Sequence, residues 1–190
     1  MRLFRLAILN AIVGLAAGVI VAFFNGPAAA QTSMPAVTGT GPQTMSYVDI
    51  WKGKPPAEVS ALWGDILAKN DADPSWAFLK KNGNGHVPAT ALYVAFPDVL
   101  VSILRSATTC EPVGNHEEKT WTKCAARIFY KGKITRSSAC FMEAYFDPMP
   151  GETPQNRYSA ASLDAAKNTV TFNGIAQGKA QKDCAITVRF

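Results

Sequence analysis

Four cysteines, Cys110, Cys124, Cys140 and Cys184, limit most strongly what this chain can fold into. Their number is even and their spacings are wide, 14, 16 and 44 residues. That pattern suits a disulfide framework in an oxidising compartment, whereas zinc sites and redox motifs need closely spaced pairs. No C-x-x-C and no H-E-x-x-H occurs, and His116-Glu117-Glu118 stops halfway through the latter motif. The expectation is therefore two disulfides, no metal and no cofactor.

The amino-terminal residues bear on the compartment. Arg2 and Arg5 precede an apolar run, Leu6 to Phe24, whose one strongly polar residue is Asn10; Asn25-Gly26-Pro27 then breaks it before Ala28-Ala29-Ala30. A positive start, an apolar centre and a small-x-small site predict a secretory signal peptide over residues 1–30, cut after Ala30. The competing reading is a retained anchor, because the run also reaches the length of a bilayer-spanning helix. Both place the folded part outside the cytoplasm, periplasmic or secreted, and cleavage would leave no stable membrane insertion. Gln31 to Thr44 is rich in Pro, Gly, Thr and Ser, so residues 31–45 are expected as a flexible leader and residues 46–190 as one domain.

Of the 19 Lys and Arg residues, Arg2 and Arg5 belong to the signal, leaving 17 against 14 acidic residues and a formal charge of +3. The basic residues are scattered rather than gathered on a stripe, so nucleic acid is not an expected partner. Anionic envelope polymers or lipid head groups are weaker readings of the same charge.

The first half of the domain has helical periodicity. Val59, Leu62, Trp63, Ile66 and Leu67 share one face of a 3.6-residue repeat, with Pro56 in the first turn. Asp73 is expected to cap a second helix beginning at Pro74 and ending at Gly83. Phe96, Val99, Leu100, Ile103 and Leu104 repeat the spacing and predict a third helix, broken near Pro97-Asp98. The second half changes to a period of two in TKCAARIFY, CFMEAYF, RYSAASLD, NTVTFNG and CAITVRF, although Ser159 to Asn168 is alanine-rich enough to form a short helix instead. The prediction is an α+β domain, amino-terminal helices packed on a carboxy-terminal antiparallel sheet of four to five strands.

With Lys131-Gly132-Lys133 as a hairpin loop, Tyr130 faces Ile134 and Cys124 comes opposite Cys140, the sulphurs pointing to one side. Three disulfide connectivities remain open from sequence. Cys110–Cys124 and Cys140–Cys184 are favoured, since the first closes the polar loop EPVGNHEEKTWTK at its neck and the second ties down the last strand. Chain entropy gives them roughly 3 and about 4 kcal/mol.

Catalytic patterns are missing: no G-x-S-x-G elbow, no Walker loop and no dinucleotide fingerprint occurs. Asp71-Ala-Asp73 opens like a calcium loop, but Trp76 stands where its glycine is needed and Asn82 where its bidentate glutamate belongs. Glu143 lacks a placed partner carboxylate. Two polar loops remain as candidate interaction sites: the glycine-rich turn with Asn84 and His86, and the cysteine-closed loop with His116, Glu117, Glu118 and Trp121. A disulfide would pre-order the second and lower the entropy cost of binding. The functional expectation is a non-enzymatic binding, inhibitor or accessory protein with a protein or envelope-polymer partner. An envelope hydrolase with a dispersed active site and an outer-membrane β-barrel are the alternatives, the barrel being short of strands.

Overall fold

The computed structural model describes residues 41–82, 85–112, 121–142 and 157–190. These residues are mostly β: two antiparallel sheets of six and five strands, with two helices. In chain order the elements are β1 (Gln43–Thr44), β2 (Ser46–Asp49), α1 (Ala57–Ala72), α2 (Ala77–Lys80), β3 (Ala89–Ala95), β4 (Val99–Ser106), β5 (Cys110–Pro112), β6 (Thr122–Tyr130), β7 (Lys133–Phe141), β8 (Arg157–Asp164), β9 (Thr169–Ala176), β10 (Lys179–Ala180) and β11 (Ile186–Arg189). The larger sheet runs β2-β3-β4-β6-β7, with β5 pairing the start of β6 beyond the end of β4. The smaller sheet runs β1-β8-β9, with β10 and β11 both on β9. The chain passes between sheets at buried Met45, whose amide donates to the Ser159 carbonyl at 3.0 Å.

The larger sheet is covered on both faces. Leu92, Val94, Val99, Val101, Ile103, Ala126 and Ile128 share a cluster with Ala161, Val170 and Phe172 of the smaller sheet. On the other face Ala89, Ala91, Leu100 and Leu104 share a second cluster with Val59, Leu62 and Trp63 of α1. Ile66 and Leu67 lie half-buried against it, so the apolar face expected for α1 is the face it buries. The Trp63 indole N–H donates to Ser102 Oγ at 2.9 Å, and that hydroxyl donates to the Leu92 carbonyl at 2.9 Å. At the end of α1, Asp73 accepts from the Ser75 amide at 2.9 Å and caps a 3-10 turn, Pro74–Trp76, that leads into the one-turn α2.

The third expected helix is instead the hairpin β3–β4. Pro97 and Asp98 form its turn, with Phe96 and Val99 bonded amide to carbonyl at both ends, 2.9 and 3.4 Å. Residues Val99 to Leu104 are buried at every position because each face of the sheet is covered. An uninterrupted apolar strand satisfies a helical template as well as its own, which is why periodicity misassigned it.

The register of β6–β7 also differs from expectation. Lys131 and Gly132 alone make the turn, both at positive φ, +46° and +78°, as a two-residue hairpin connection requires. Tyr130 therefore pairs with Lys133, Phe129 with Ile134, Cys124 with Ala139 and Lys123 with Cys140. A slip of one residue exchanges faces. Cys124 joins the cluster between the sheets, whereas Cys140 and Met142 form a separate one with Cys184. Of CFMEAYF, Cys140 and Phe141 end β7 and Met142 follows it, while residues 143–146 lie outside the described residues.

Both disulfides have the favoured pairing, Cys110–Cys124 and Cys140–Cys184. The first joins directly opposed residues of β5 and β6. The second ties β7 to the 3-10 turn Lys182–Cys184, and so one sheet to the other. RYSAASLD and NTVTFNG are β8 and β9, and the alanine-rich stretch is strand, with Ala160 and Ala161 in the core. No helix among the described residues is long and apolar enough to cross a membrane.

Candidate functional site

At the α2 end of the larger sheet, Trp76, Leu79, Val87, Pro88, Thr90 and Arg105 line a cleft of about 400 Å³ together with Ala89, Ser106, Ala107 and Cys110. That volume lies within the range of small-ligand sites. The 3-10 turn and α2 supply Trp76 and Leu79. The hairpin supplies Thr90 and Arg105, which are direct cross-strand partners.

The walls are fixed by bonds that the sequence pattern does not reveal. Asp71, near the end of α1, accepts from the Val87 amide at 2.8 Å and meets His86 Nδ1 at 2.7 Å. Its carbonyl accepts from Lys80 Nζ at 2.6 Å, so one residue holds both the segment entering β3 and the end of α2. Asn70, itself buried, donates to Ser106 Oγ at 3.1 Å and accepts from Thr108 Oγ1 at 2.8 Å. Thr109 Oγ1 donates to the Leu104 carbonyl and accepts from the Ser106 amide, both at 2.8 Å. These contacts set the β4–β5 turn and hence the position of Cys110.

Two polar residues, Thr90 and Arg105, belong to the lining of the cleft. The Thr90 hydroxyl is buried and has no hydrogen-bond partner among the described residues. Buried hydroxyls ordinarily find one, because leaving one unpaired costs about 1–3 kcal/mol. The guanidinium of Arg105 lies 5.9 Å from the Phe141 ring centroid, stacked on an apolar support. A molecule seated between Trp76 and Val87 would meet mostly apolar wall.

The stems of both candidate loops converge here. Val87 and Pro88 follow directly from the glycine-rich turn, and Cys110 opens the disulfide-closed loop. Of the candidate residues, His86 borders the cleft through its bond to Asp71. Trp121 lies elsewhere, half-buried against Cys140, Met142 and Cys184, its indole N–H buried without a partner among the described residues. Asn84, His116, Glu117 and Glu118 lie outside the described residues. Thr90 and Arg105 were missed by sequence reasoning. The signal for Arg105 was the one charge closing a long apolar run, but its pairing with Thr90 becomes visible only once that run is a hairpin. Among the described residues no group of three His, Cys, Asp or Glu side chains is placed to hold a metal ion.

Comparison with family models, with curated proteins and with solved structures gave no match.

Proposed function

We propose that this chain is an exported binding protein, stapled by its two disulfides, that acts on a macromolecule of the cell envelope or outside the cell and engages it at the cleft beside α2. The amino-terminal pattern of residues 1–30 and the pairing of all four cysteines support export. The observation that carries the binding reading is a mainly apolar cleft, with Arg105 in its lining, at which both polar loops are rooted. Apolar walls with a few convergent polar groups are the usual composition of a recognition site.

Site-specific photo-crosslinking tests this. A photoreactive residue at Leu79, in the lining of the cleft, is expected to give a discrete adduct with one envelope component, and Ala107→Trp, which adds bulk to that lining, to abolish it. The same probe at exposed Lys167 serves as control. Equal labelling from both positions, or none from Leu79, would overturn the reading.

A further inference from the structure

A second surface, on the β6–β7 hairpin, has the chemistry of a docking edge. The Cys140 carbonyl and Met142 amide are satisfied by one group, the Ser159 hydroxyl, which donates to the first at 2.9 Å and accepts from the second at 3.0 Å. On β6, the Ala125 amide is directed toward the β4 and β5 side, bonding the Thr109 carbonyl at 2.7 Å. Alternation along the two strands then directs Cys124 and Ala126 toward β7, and turns the backbone groups of Ile134, Arg136 and Ser138 away from β6. Ser159 thus finishes one end of this edge and leaves the other. Among the described residues no strand pairs there, and the amides of Ile134 and Arg136 have no partner.

The side chains along the open stretch are unusual for a strand left to water. Phe129 and Ile134 are directly opposed and 40% and 46% exposed, an apolar step beside the edge. Lys131, Lys133 and Arg136 surround it, all exposed. Of the carboxylates nearby, Asp65 is already bound by Arg127 at 2.6 and 2.8 Å, with Arg136 at 4.0 Å, and Asp98 lies beside Lys131. The stretch therefore keeps an excess of positive charge. Lysine and arginine on an edge oppose pairing with a second copy of the same strand, since like charges would face each other. They favour a strand of opposite sign.

We infer that the Lys133–Ser138 edge of β7 accepts an extended acidic segment of a protein partner as an added strand. An apolar residue of that segment would sit against Ile134 and Phe129, and a carboxylate two positions along would sit opposite Arg136. Strand addition uses backbone bonds for affinity and alternate side chains for specificity. A lipid surface could meet the charge and the apolar step, but its head groups offer no regular array of donors and acceptors for the open backbone. This surface is independent of the cleft.

The test is titration of the intact oxidised protein with a blocked heptapeptide carrying Val and Glu at alternate positions, with Thr between them. Two control peptides replace Glu by Lys, or methylate the backbone nitrogens on one edge. The expected result is saturable binding of the Glu peptide only, weakened about tenfold by Arg136→Glu and also by Ile134→Thr, with melting temperatures of both variants close to the parent. Equal binding of the Lys or N-methylated peptide would overturn the inference. So would absence of peptide binding, including the case in which phosphatidylglycerol vesicles bind the protein and Arg136→Glu releases them.

Discussion

The guanidinium of Arg127 lies 4.5 Å from the centroid of the Trp63 ring, a buried cation stacked on the largest side chain of the core. It rises from the centre of β6 through the helix-covered face of the larger sheet and also donates to the Leu62 carbonyl and, through two nitrogens, to Asp65. One side chain thus ties helix, sheet and solvent-facing carboxylate together. The partners are unequal: Arg127 is 6% exposed and Asp65 53%.

That inequality sets the direction of the mutants. Asp65→Ala leaves a buried guanidinium without its carboxylate and is expected to cost more than Arg127→Met, which lets Asp65 return to water and keeps apolar contact with Trp63, costing about 1–2 kcal/mol. Urea unfolding of the two variants checks the order. An Arg127→Met protein less stable than Asp65→Ala would show that the cation itself, rather than its satisfaction, holds the helix.

The same pair gives an acid limb to stability. The hydrogen bond from Arg127, outweighing burial, holds the Asp65 carboxyl at about 2, below its ordinary 3.8. A depressed folded value means a contribution fully present above about pH 4 and lost as pH falls toward 2. Melting between pH 5 and 2 should show a smaller acid decline in Asp65→Asn than in the parent, and solvent screening of a half-exposed carboxylate keeps the difference small. Identical slopes would contradict the assignment.

Ser102 is a polar residue that a buried strand tolerates because it is fully used. It accepts from Trp63 and donates to Leu92. Ser102→Ala should leave the indole N–H unpaired in the core and destabilise by about 1–3 kcal/mol, while Trp63→Phe in the Ser102→Ala background should cost less than Trp63→Phe alone. A double-mutant cycle measures the coupling, and additive losses would refute it.

Gly174 is a close-approach glycine. A Cβ there would stand 2.8 Å from Cys184 Cβ and 2.8 Å from Met142 Cε. Met142 can move, but Cys184 is fixed by its disulfide to Cys140. Gly174→Ala is expected to cost about 1–3 kcal/mol through overpacking. A differential scan decides it, and an unchanged or raised melting temperature would mean that the sheets have slack where they are stapled.

How much of this was legible in the sequence depended on how many faces each element buries. The α1 face was readable from Val59, Leu62 and Trp63 because only one side of the helix meets the sheet, leaving a clear 3.6-residue stripe. The strand β9 was readable from its alternation for the same reason, whereas in β8 Ser159, Ala160 and Ala161 are all buried, which left its alanine-rich stretch open to a helical reading. Val99 to Leu104 was misread because burial on both faces erases alternation, and with it went the Thr90–Arg105 pairing that shapes the cleft. The one-residue slip at Lys131-Gly132 had a physical signal, the glycine at the second turn position, but lysine is no usual residue for positive φ and the three-residue loop KGK offered an equally plain count. The disulfide partners were reached correctly even so, since Cys110 and Cys124 close the neck of one polar loop and Cys184, read as part of the last strand and found in the turn before it, ties that strand down.

The layered fold rests on the four cysteines being structural staples rather than thiols or metal ligands. Mass mapping of a non-reduced digest of the intact protein, alkylated before cleavage, tests this most directly. The predicted result is two linked peptide pairs, Cys110 with Cys124 and Cys140 with Cys184, and no alkylated cysteine. Alkylation of Cys110 or Cys124, or a link between Cys124 and Cys140, would contradict both the pairing and the layered fold built on it.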